Sequence, residues 1–306
     1  MAYSLLNKLV VGVSSRALFD LTKENEIFEQ QGVEAYSRYQ IEHESIVLKP
    51  GPGFNLIKAL LDLNHITSHE GRVEVIIMSR NSADTSLRVF NSVAYYGLEI
   101  SRAVLASGAP LAPYLNAFKT DLFLSAYEDD VQRAIDSNIA AGIICNDGFT
   151  EYDQQEGISQ IRIAFDGDAV LFSDASERIY QEKGLEAFEE NERIQAANIM
   201  EAGPFAKFLK TLSNLQKEFP GENAPIRTAL VTSRSAPAHE RVIRTLRAWD
   251  VRVDEAFFLG GISKRDILKA FGAHIFFDDQ AVHTSAASEV VPSARVPYQS
   301  HKEADQ

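Results

Sequence analysis

An internal repeat restricts the possible folds of this sequence more than any other feature. Four segments of the first half reappear in the second half, in the same order and at a nearly constant separation. The matched segments are 11–19 with 163–171, 26–36 with 178–188, 75–83 with 229–237, and 121–126 with 274–279. Two copies of one folding unit explain this pattern. We therefore expect one unit over residues 1–150 and another over residues 160–298, joined near residues 146–160.

Each copy has the pattern of an α/β unit with a parallel sheet. In the second copy, short apolar runs predict strands at 161–165, 226–232, 255–259 and 274–277. Segments with helical spacing separate most of these strands, as connections between parallel strands require. The insertion at about 173–220 is rich in Glu, Lys and Gln and predicts a small helical cap over the strand ends. We expect the polar tail, 299–306, to be flexible.

The two copies differ in the polar residues that follow the predicted strands. The second copy has an acid or a lysine at five such positions, which are Asp166, Asp168, Lys264, Asp278 and Asp279. At the positions of its four acids, the first copy has Ser14, Arg16, Ser125 and Ala126. Because the core-like positions agree while these diverge, we expect both copies to keep the fold. Only the second is expected to keep the chemistry, which makes the first a degenerate, non-catalytic domain.

The acids of the second copy are suited to phosphoryl chemistry. Ligands of parallel α/β sheets bind at the carboxyl ends of the strands, where these acids are expected to meet. Oxygen ligands of this kind favour Mg²⁺, and an aspartate can attack a phosphoryl group. Thr232 and Ser233 are candidates to bind phosphate oxygens, and Lys264 is a candidate to neutralise their charge. Arg234 has two interpretations, since it can bind substrate phosphate or pair with one of the acids.

These motifs resemble those of a known enzyme superfamily. Phe-Asp-Gly-Asp at 165–168, Leu-Val-Thr-Ser-Arg at 230–234, Lys264, and Phe-Phe-Asp-Asp at 276–279 look like the four motifs of the haloacid dehalogenase phosphotransferases. More closely, residues 163–174 and 274–280 are similar to the cytosolic 5'-nucleotidase I family. This similarity extends through residues 13–19 and covers nearly the whole chain.

The resemblance implies two tandem Rossmann-like, haloacid dehalogenase-like units and Mg²⁺-dependent hydrolysis of nucleoside 5'-monophosphates, AMP foremost. It makes Asp166 the nucleophile that forms an aspartyl-phosphate and Asp168 the general acid/base, while Thr232 and Lys264 hold the phosphate. The implied metal site consists of Asp166, the backbone carbonyl of Asp168, Asp278 and the supporting Asp279. Two alternatives stay open: a sugar-phosphate phosphatase or phosphomutase on the same scaffold, and a nucleotide-sensing module without catalysis. Aromatic residues of the cap are candidates to stack on a base, namely Phe172, Tyr180 and Phe188.

The first copy has hydroxyls and cations where the second has its acids. Ser14, Arg16, Ser79 and Arg80 cannot hold Mg²⁺, but they could hold an anion without cleaving it. We hypothesise a nucleotide phosphate there, either as an effector or, if the two halves face each other, as part of the substrate. The competing interpretation is that Arg16 pairs with a local carboxylate for structural reasons.

Composition excludes several classes of function. The formal net charge of -13 argues against nucleic-acid binding, which needs a basic surface. No apolar run approaches the roughly 20 residues that a membrane span needs, and the first residues do not resemble a signal peptide. A single cysteine excludes an internal disulfide. A cytoplasmic location is the simplest expectation, and the sequence leaves the oligomeric state open.

Overall fold

One mostly parallel sheet runs through the molecule. The computed structural model describes residues 4–66, 72–144, 160–219 and 224–300. Nearly all of the expected join, 146–160, and most of the expected flexible tail, 299–306, therefore lie outside the described residues. Within them, the strands are β1 (Leu9–Val13), β2 (Val73–Ser79), β3 (Arg102–Leu105), β4 (Leu122–Ser125), β5 (Ala140–Ile144), β6 (Ile161–Phe165), β7 (Ile226–Thr232), β8 (Glu255–Phe258), β9 (Ile275–Asp278) and β10 (Ser293–Arg295).

Helices connect most of the strands, which confirms the predicted α/β class with parallel strands. They are α1 (Ser15–Leu18), α2 (Thr22–Glu42), α3 (Phe54–Ile66), α4 (Leu87–Tyr95), α5 (Ala112–Ala117), α6 (Glu128–Asp136), α7 (Ala175–Ile194), α8 (Ala206–Lys217), α9 (His239–Ala248), α10 (Lys264–Phe271) and α11 (Ala281–Ser288). Of the helices that the structure describes, none is long and apolar enough to cross a membrane.

The strand order is β3-β2-β1-β4-β5-β10-β9-β6-β7-β8. Every pairing within β3 to β5 is parallel, and so is every pairing from β10 to β8. The halves meet where β5 and β10 pair antiparallel. The strands of the two halves therefore run in opposite directions, and their carboxyl ends lie at opposite edges of the sheet. The two sets of strand ends do not face each other.

The central strands form because their sequences are continuous apolar runs that can be buried on both faces. Every residue of β1 and of β2 is buried. In the second half, Phe165 and Phe277 stack on neighbouring strands with their ring centroids 5.7 Å apart. The predicted strand at 226–232 has the observed bounds, and Ser263 caps α10 by accepting a hydrogen bond from the Arg265 amide.

The segment expected to form the cap contains helices with different environments. α7 is largely exposed and is interrupted at Gly184, whose φ of 82° lies in the left-handed region that favours glycine. α8 instead buries Phe208, Leu209 and Leu212 completely in the core. Of the two helices, only α7 thus covers the strand ends, while α8 packs beside β7.

Candidate active site

Three adjacent strands bring the predicted site residues of the second half together. β9, β6 and β7 are neighbours in the sheet and run parallel. Asp166 directly follows β6, Thr232 is the last residue of β7, and Asp278 is the last residue of β9. The three side chains therefore emerge at the same edge, at the carboxyl ends of the strands, where parallel sheets bind their ligands.

Three carboxylates form a buried cluster at this edge. Asp166, Asp278 and Asp279 each offer an oxygen atom, and these atoms all lie within 4.8 Å of one another. All three residues are buried, and Asp278 is fully so. Such closely spaced, desolvated carboxylates need a compensating cation, and an all-oxygen donor set suits a hard divalent ion. The residues present thus fit a divalent metal.

Lys264 is the cation that contacts this cluster. Its ammonium group lies 2.8 Å from Asp166 Oδ1 and 2.6 Å from Asp278 Oδ2. Burial alone would lower the pKa of Lys264, but the two carboxylates outweigh it and hold the pKa above the usual value. Lys264 is the first residue of α10, so the start of this helix contributes the cation.

The pKa values of Asp166 and Asp279 are both raised at this site. Burial raises the pKa of Asp166 well above its ordinary value, with Asp278 and Asp279 adding to the effect and Lys264 opposing it. Burial, followed by repulsion from Asp278, raises the pKa of Asp279 to about 6. The Tyr298 hydroxyl, 2.5 Å from Asp279 Oδ2, donates a hydrogen bond to it.

Asp168 is held by an arginine rather than by the acid cluster. Arg234 donates from Nε and Nη2 to the two Asp168 oxygens, at 2.7 and 2.6 Å. Its third donor, Nη1, reaches Glu192 Oε2 at 2.5 Å. Of the two interpretations of Arg234, the structure therefore shows pairing with acids, since each guanidinium nitrogen already donates to a carboxylate. The Asp168 carboxylate is not one of the three that form the acid cluster, and both of its oxygens accept from Arg234, so its backbone carbonyl stays the candidate ligand.

A cavity of about 380 Å³ opens over this edge, and we call it the C-terminal cavity. Asp166, Asp168, Thr232 and Ser233, four of the predicted site residues, line it. α7 contributes apolar residues to its wall, namely Tyr180, Leu185 and Phe188. Phe172, the remaining aromatic candidate, is instead buried against Trp249.

The opposite edge of the sheet carries a second cavity, of about 470 Å³, which we call the N-terminal cavity. Arg16 and Arg80 line it, but Ser14 and Ser79 do not. Ser14 caps α1 by accepting from the Ala17 amide, and the Ser79 hydroxyl lies 3.2 Å from that of Ser15. The four residues of the expected anion site thus divide into two cavity residues and two structural ones.

Comparison with known proteins identifies the family. A model of the 5'-nucleotidase family matches residues 1–303. The chain belongs to this family. It is 39% identical over 294 residues to human cytosolic 5'-nucleotidase 1B, an alignment that covers 93% of this chain and 48% of the relative. The chain therefore spans about half the length of that curated relative.

Among solved structures, a chain of a Pnkp1/Rnl/Hen1 complex aligns with this 5'-nucleotidase family member at 11% identity and a TM-score of 0.32. That alignment covers 96% of this chain and 97% of the other. Such a score is too low to support any inference about fold or function.

The structure adds residues to the site that sequence reasoning missed in this family member. Glu192 reaches Arg234 from α7, and His283 Nδ1 lies 3.2 Å from both oxygens of Asp278. Tyr298 contacts Asp279 from the segment after β10. His283 follows Asp278 by only five residues, and this nearness in the sequence could have indicated it. Glu192 and Tyr298 carry no local signal, because their partners are distant in the sequence.

Proposed function

We propose that the chain hydrolyses nucleoside 5'-monophosphates, with AMP favoured, to a nucleoside and phosphate. The observation that carries this proposal is the buried group of Asp166, Asp278, Asp279 and Lys264 at the strand edge, in a chain of the 5'-nucleotidase family. The activity suggested by the name of the human relative, and its cytosolic location, are extended to this chain as parts of the same proposal.

The metal in this proposal is Mg²⁺. Asp166, Asp278 and Asp279 would hold it, because their hard oxygens lie close together at one buried place. The backbone carbonyl of Asp168 is a further candidate ligand, as the resemblance to the family implies. When bound, Mg²⁺ neutralises these carboxylates and stabilises negative charge on the phosphoryl oxygens.

In the first step, Asp166 attacks phosphorus in line with the 5'-oxygen of the ester. A bond forms between a carboxylate oxygen and phosphorus while the ester bond breaks, and Asp168, in its protonated form, gives a proton to the departing oxygen. In the second step, Asp168 takes a proton from water, which attacks the aspartyl-phosphate and releases phosphate. Lys264 and Thr232 bind the phosphoryl oxygens and so offset the charge that develops on them.

Arg234 and Glu192 have positioning roles in this mechanism. The two bonds from Arg234 fix the direction in which the Asp168 carboxyl group points, and Glu192 fixes Arg234 in turn. Because Glu192 belongs to α7, the helix that lines the cavity is tied directly to the acid/base residue. Movement of α7 relative to the sheet would therefore disturb the orientation of Asp168.

We further infer that the halves are tandem haloacid dehalogenase-like units, the first (1–150) non-catalytic and the second (160–298) catalytic. The strand order supports this, because outward from the junction it is β5-β4-β1-β2-β3 on one side and β10-β9-β6-β7-β8 on the other. Each strand of the first half thus has a counterpart in the same place in the second.

A phosphate-release assay tests the proposed function. The chain is incubated with AMP, other nucleoside monophosphates and sugar phosphates, with and without Mg²⁺. We expect release from AMP only with Mg²⁺, complete loss in Asp166→Asn, and full activity in the control Asp250→Asn, an exposed acid paired with Lys217. Faster release from sugar phosphates would support the sugar-phosphate phosphatase instead. No release from any substrate would support the sensing module.

A further inference from the structure

The N-terminal cavity is built on the same plan as the C-terminal cavity. Each lies at the carboxyl ends of the strands of its own half, under a long helix that is interrupted once. α2 is interrupted at Gly32, with φ of 84° and ψ of 179°, and α7 at Gly184, with φ of 82° and ψ of -177°. The same left-handed, extended backbone thus bends each helix over its cavity.

The bend brings the same kind of side chains to the wall of each cavity. In the N-terminal cavity, Phe28 and Tyr36 form an edge-to-face pair with centroids 5.9 Å apart. In the C-terminal cavity, Tyr180 and Phe188 form an edge-to-face pair at 6.3 Å. An aliphatic residue follows the glycine in both helices, Val33 in one and Leu185 in the other, and it also lines the cavity. Both cavities therefore present a wall suited to a planar ring.

The two cavities differ in the charges at the strand ends. Ser14 and Ser125 stand where the second half has Asp166 and Asp278, so these two positions supply neither a nucleophilic carboxylate nor a metal ligand. A cation lines the N-terminal cavity instead. Arg16 makes no ion pair with any residue that the structure describes; its Nη1 donates to Asn25 at 2.9 Å and its guanidinium carbon lies 5.0 Å from the centre of the Tyr127 ring.

The other charges around the N-terminal cavity are already paired. Arg80 donates to Asp130 at 2.6 Å, and Glu24 accepts from Arg88 at 2.6 Å. Among the described residues that line this cavity, Arg16 is therefore the one cation without an ion pair, on a chain whose net charge is -13. A half-buried, unpaired guanidinium beside aromatic rings favours an anionic ligand that carries a ring.

We propose that the N-terminal cavity binds a nucleoside phosphate and does not hydrolyse it. The ring would lie against Phe28 and Tyr36, and the phosphate would accept hydrogen bonds from Arg16. The volume of about 470 Å³ is within the range of small-molecule sites. The ligand class rests on the proposed function, because it follows from the likeness to the C-terminal cavity; the existence of an anion site does not.

The antiparallel junction makes this a separate site. Because β5 and β10 run in opposite directions, the two cavities open at opposite edges of the sheet. One nucleotide cannot contact both, so the phosphate expected at the N-terminal edge is not a part of the substrate bound by the same chain. Of the two roles considered from the sequence, only that of a second, non-substrate ligand is compatible with this geometry.

Calorimetric titration of the full chain with AMP tests the proposal, in the Asp166→Asn background so that AMP is not consumed. We expect one molecule of AMP to bind each chain with an affinity that depends on Arg16. Arg16→Gln should lower this affinity by about tenfold or more, since a charged hydrogen-bond donor is removed. The matched control is Arg133→Gln, which removes an exposed arginine from α6 and should leave all AMP binding unchanged. Phe28→Ala should lower the affinity of the same AMP molecule. Because the Phe28 ring is exposed, this variant serves as a second test if Arg16→Gln fails to fold.

Titrations with inorganic phosphate and with adenosine identify which parts of the ligand are recognised. AMP is expected to bind the Arg16-dependent site more tightly than either. Equal affinity for inorganic phosphate would overturn the role of the rings, and equal affinity for adenosine would overturn the role of Arg16. AMP binding that neither Arg16→Gln nor Phe28→Ala changes would overturn the whole proposal. None of these outcomes depends on phosphate release, so failure of the proposed function would be seen separately.

Discussion

Replacing Glu192 by Gln removes the charge at the centre of the buried network beside the proposed acid/base residue. The carboxylate is completely buried and accepts hydrogen bonds from Arg234 at 2.5 Å, Arg241 at 2.9 Å and Ser176 at 2.8 Å. Glutamine keeps the shape but offers only one acceptor oxygen, and it places an NH₂ group against a guanidinium. The substitution therefore leaves a buried cation short of a partner.

The magnitude follows from this geometry. Breaking a buried ion pair by removing one partner costs about 3–5 kcal/mol. Arg234 keeps both of its bonds to Asp168, so we expect the lower end, about 3 kcal/mol. At about 2 °C per kcal/mol for a chain of this size, the unfolding midpoint should fall by about 6 °C. The matched control is Glu190→Gln on the same helix, whose exposed pair with Arg193 contributes less than about 1 kcal/mol.

The loss of stability caused by Glu192→Gln should also depend on pH, and it should be larger at neutral pH than in acid. Burial raises the pKa of Glu192, but Arg234 outweighs burial and the net shift is downward. A group with a depressed pKa in the folded state stabilises the fold above its unfolded-state pKa, and loses that contribution as the pH falls through the folded-state pKa. The difference in unfolding free energy between wild type and Glu192→Gln should therefore be full at neutral pH. It should shrink as the pH falls below the ordinary pKa of a glutamate.

Thermal unfolding and denaturant unfolding at several pH values, with phosphate release measured in parallel, check these expectations. Because Asp168 is oriented through Arg234, we expect turnover to fall by about tenfold to a hundredfold, with little change in KM. Equal unfolding midpoints for Glu192→Gln and Glu190→Gln would refute the energetic argument. A stability loss without any change in turnover would refute the positioning role.

Further predictions concern the acid cluster and the junction of the halves. Lys264→Met should lower turnover by about a hundredfold or more in the phosphate-release assay, because an electrostatic partner of the phosphoryl group is lost; wild-type turnover would exclude that role. EDTA should abolish release and added Mg²⁺ should restore it, whereas activity that persists in EDTA would contradict the metal assignment. Gly142→Val should lower the free energy of unfolding by about 1–3 kcal/mol in denaturant titrations. A Cβ at Gly142 would lie 2.8 Å from the Cβ of Ala294 at the antiparallel junction, and an unchanged midpoint would argue against that packing.

Much of the second half was predictable because its signals are local. Buried parallel strands are short apolar runs, so the runs at 161–165 and 226–232 gave the correct strand bounds. The acids follow these runs directly, and neighbouring parallel strands end at one edge. The grouping of Asp166 with Asp278 therefore followed from the sequence order and the α/β class.

The junction and the buried network were not predictable, because they depend on contacts between distant parts of the chain. β10 has only three residues, Ser293–Arg295, and carries no recognisable strand pattern. Its antiparallel pairing with β5 is nevertheless what places the two cavities at opposite edges. Arg234 could have bound a phosphate or an acid, and only its tertiary contacts with Asp168 and with Glu192 of α7 decided between them.

The sequence by itself predicted two similar α/β halves, with acids at the strand ends of only the second. Repetition and residue type are properties of the amino-acid sequence, and they can be recognised without the tertiary structure. The tertiary structure alone decided that the halves run in opposite directions in one sheet and that Arg16 stays without a carboxylate partner among the described residues. Direction and pairing depend on which surfaces pack together, and no local pattern of residues encodes that choice.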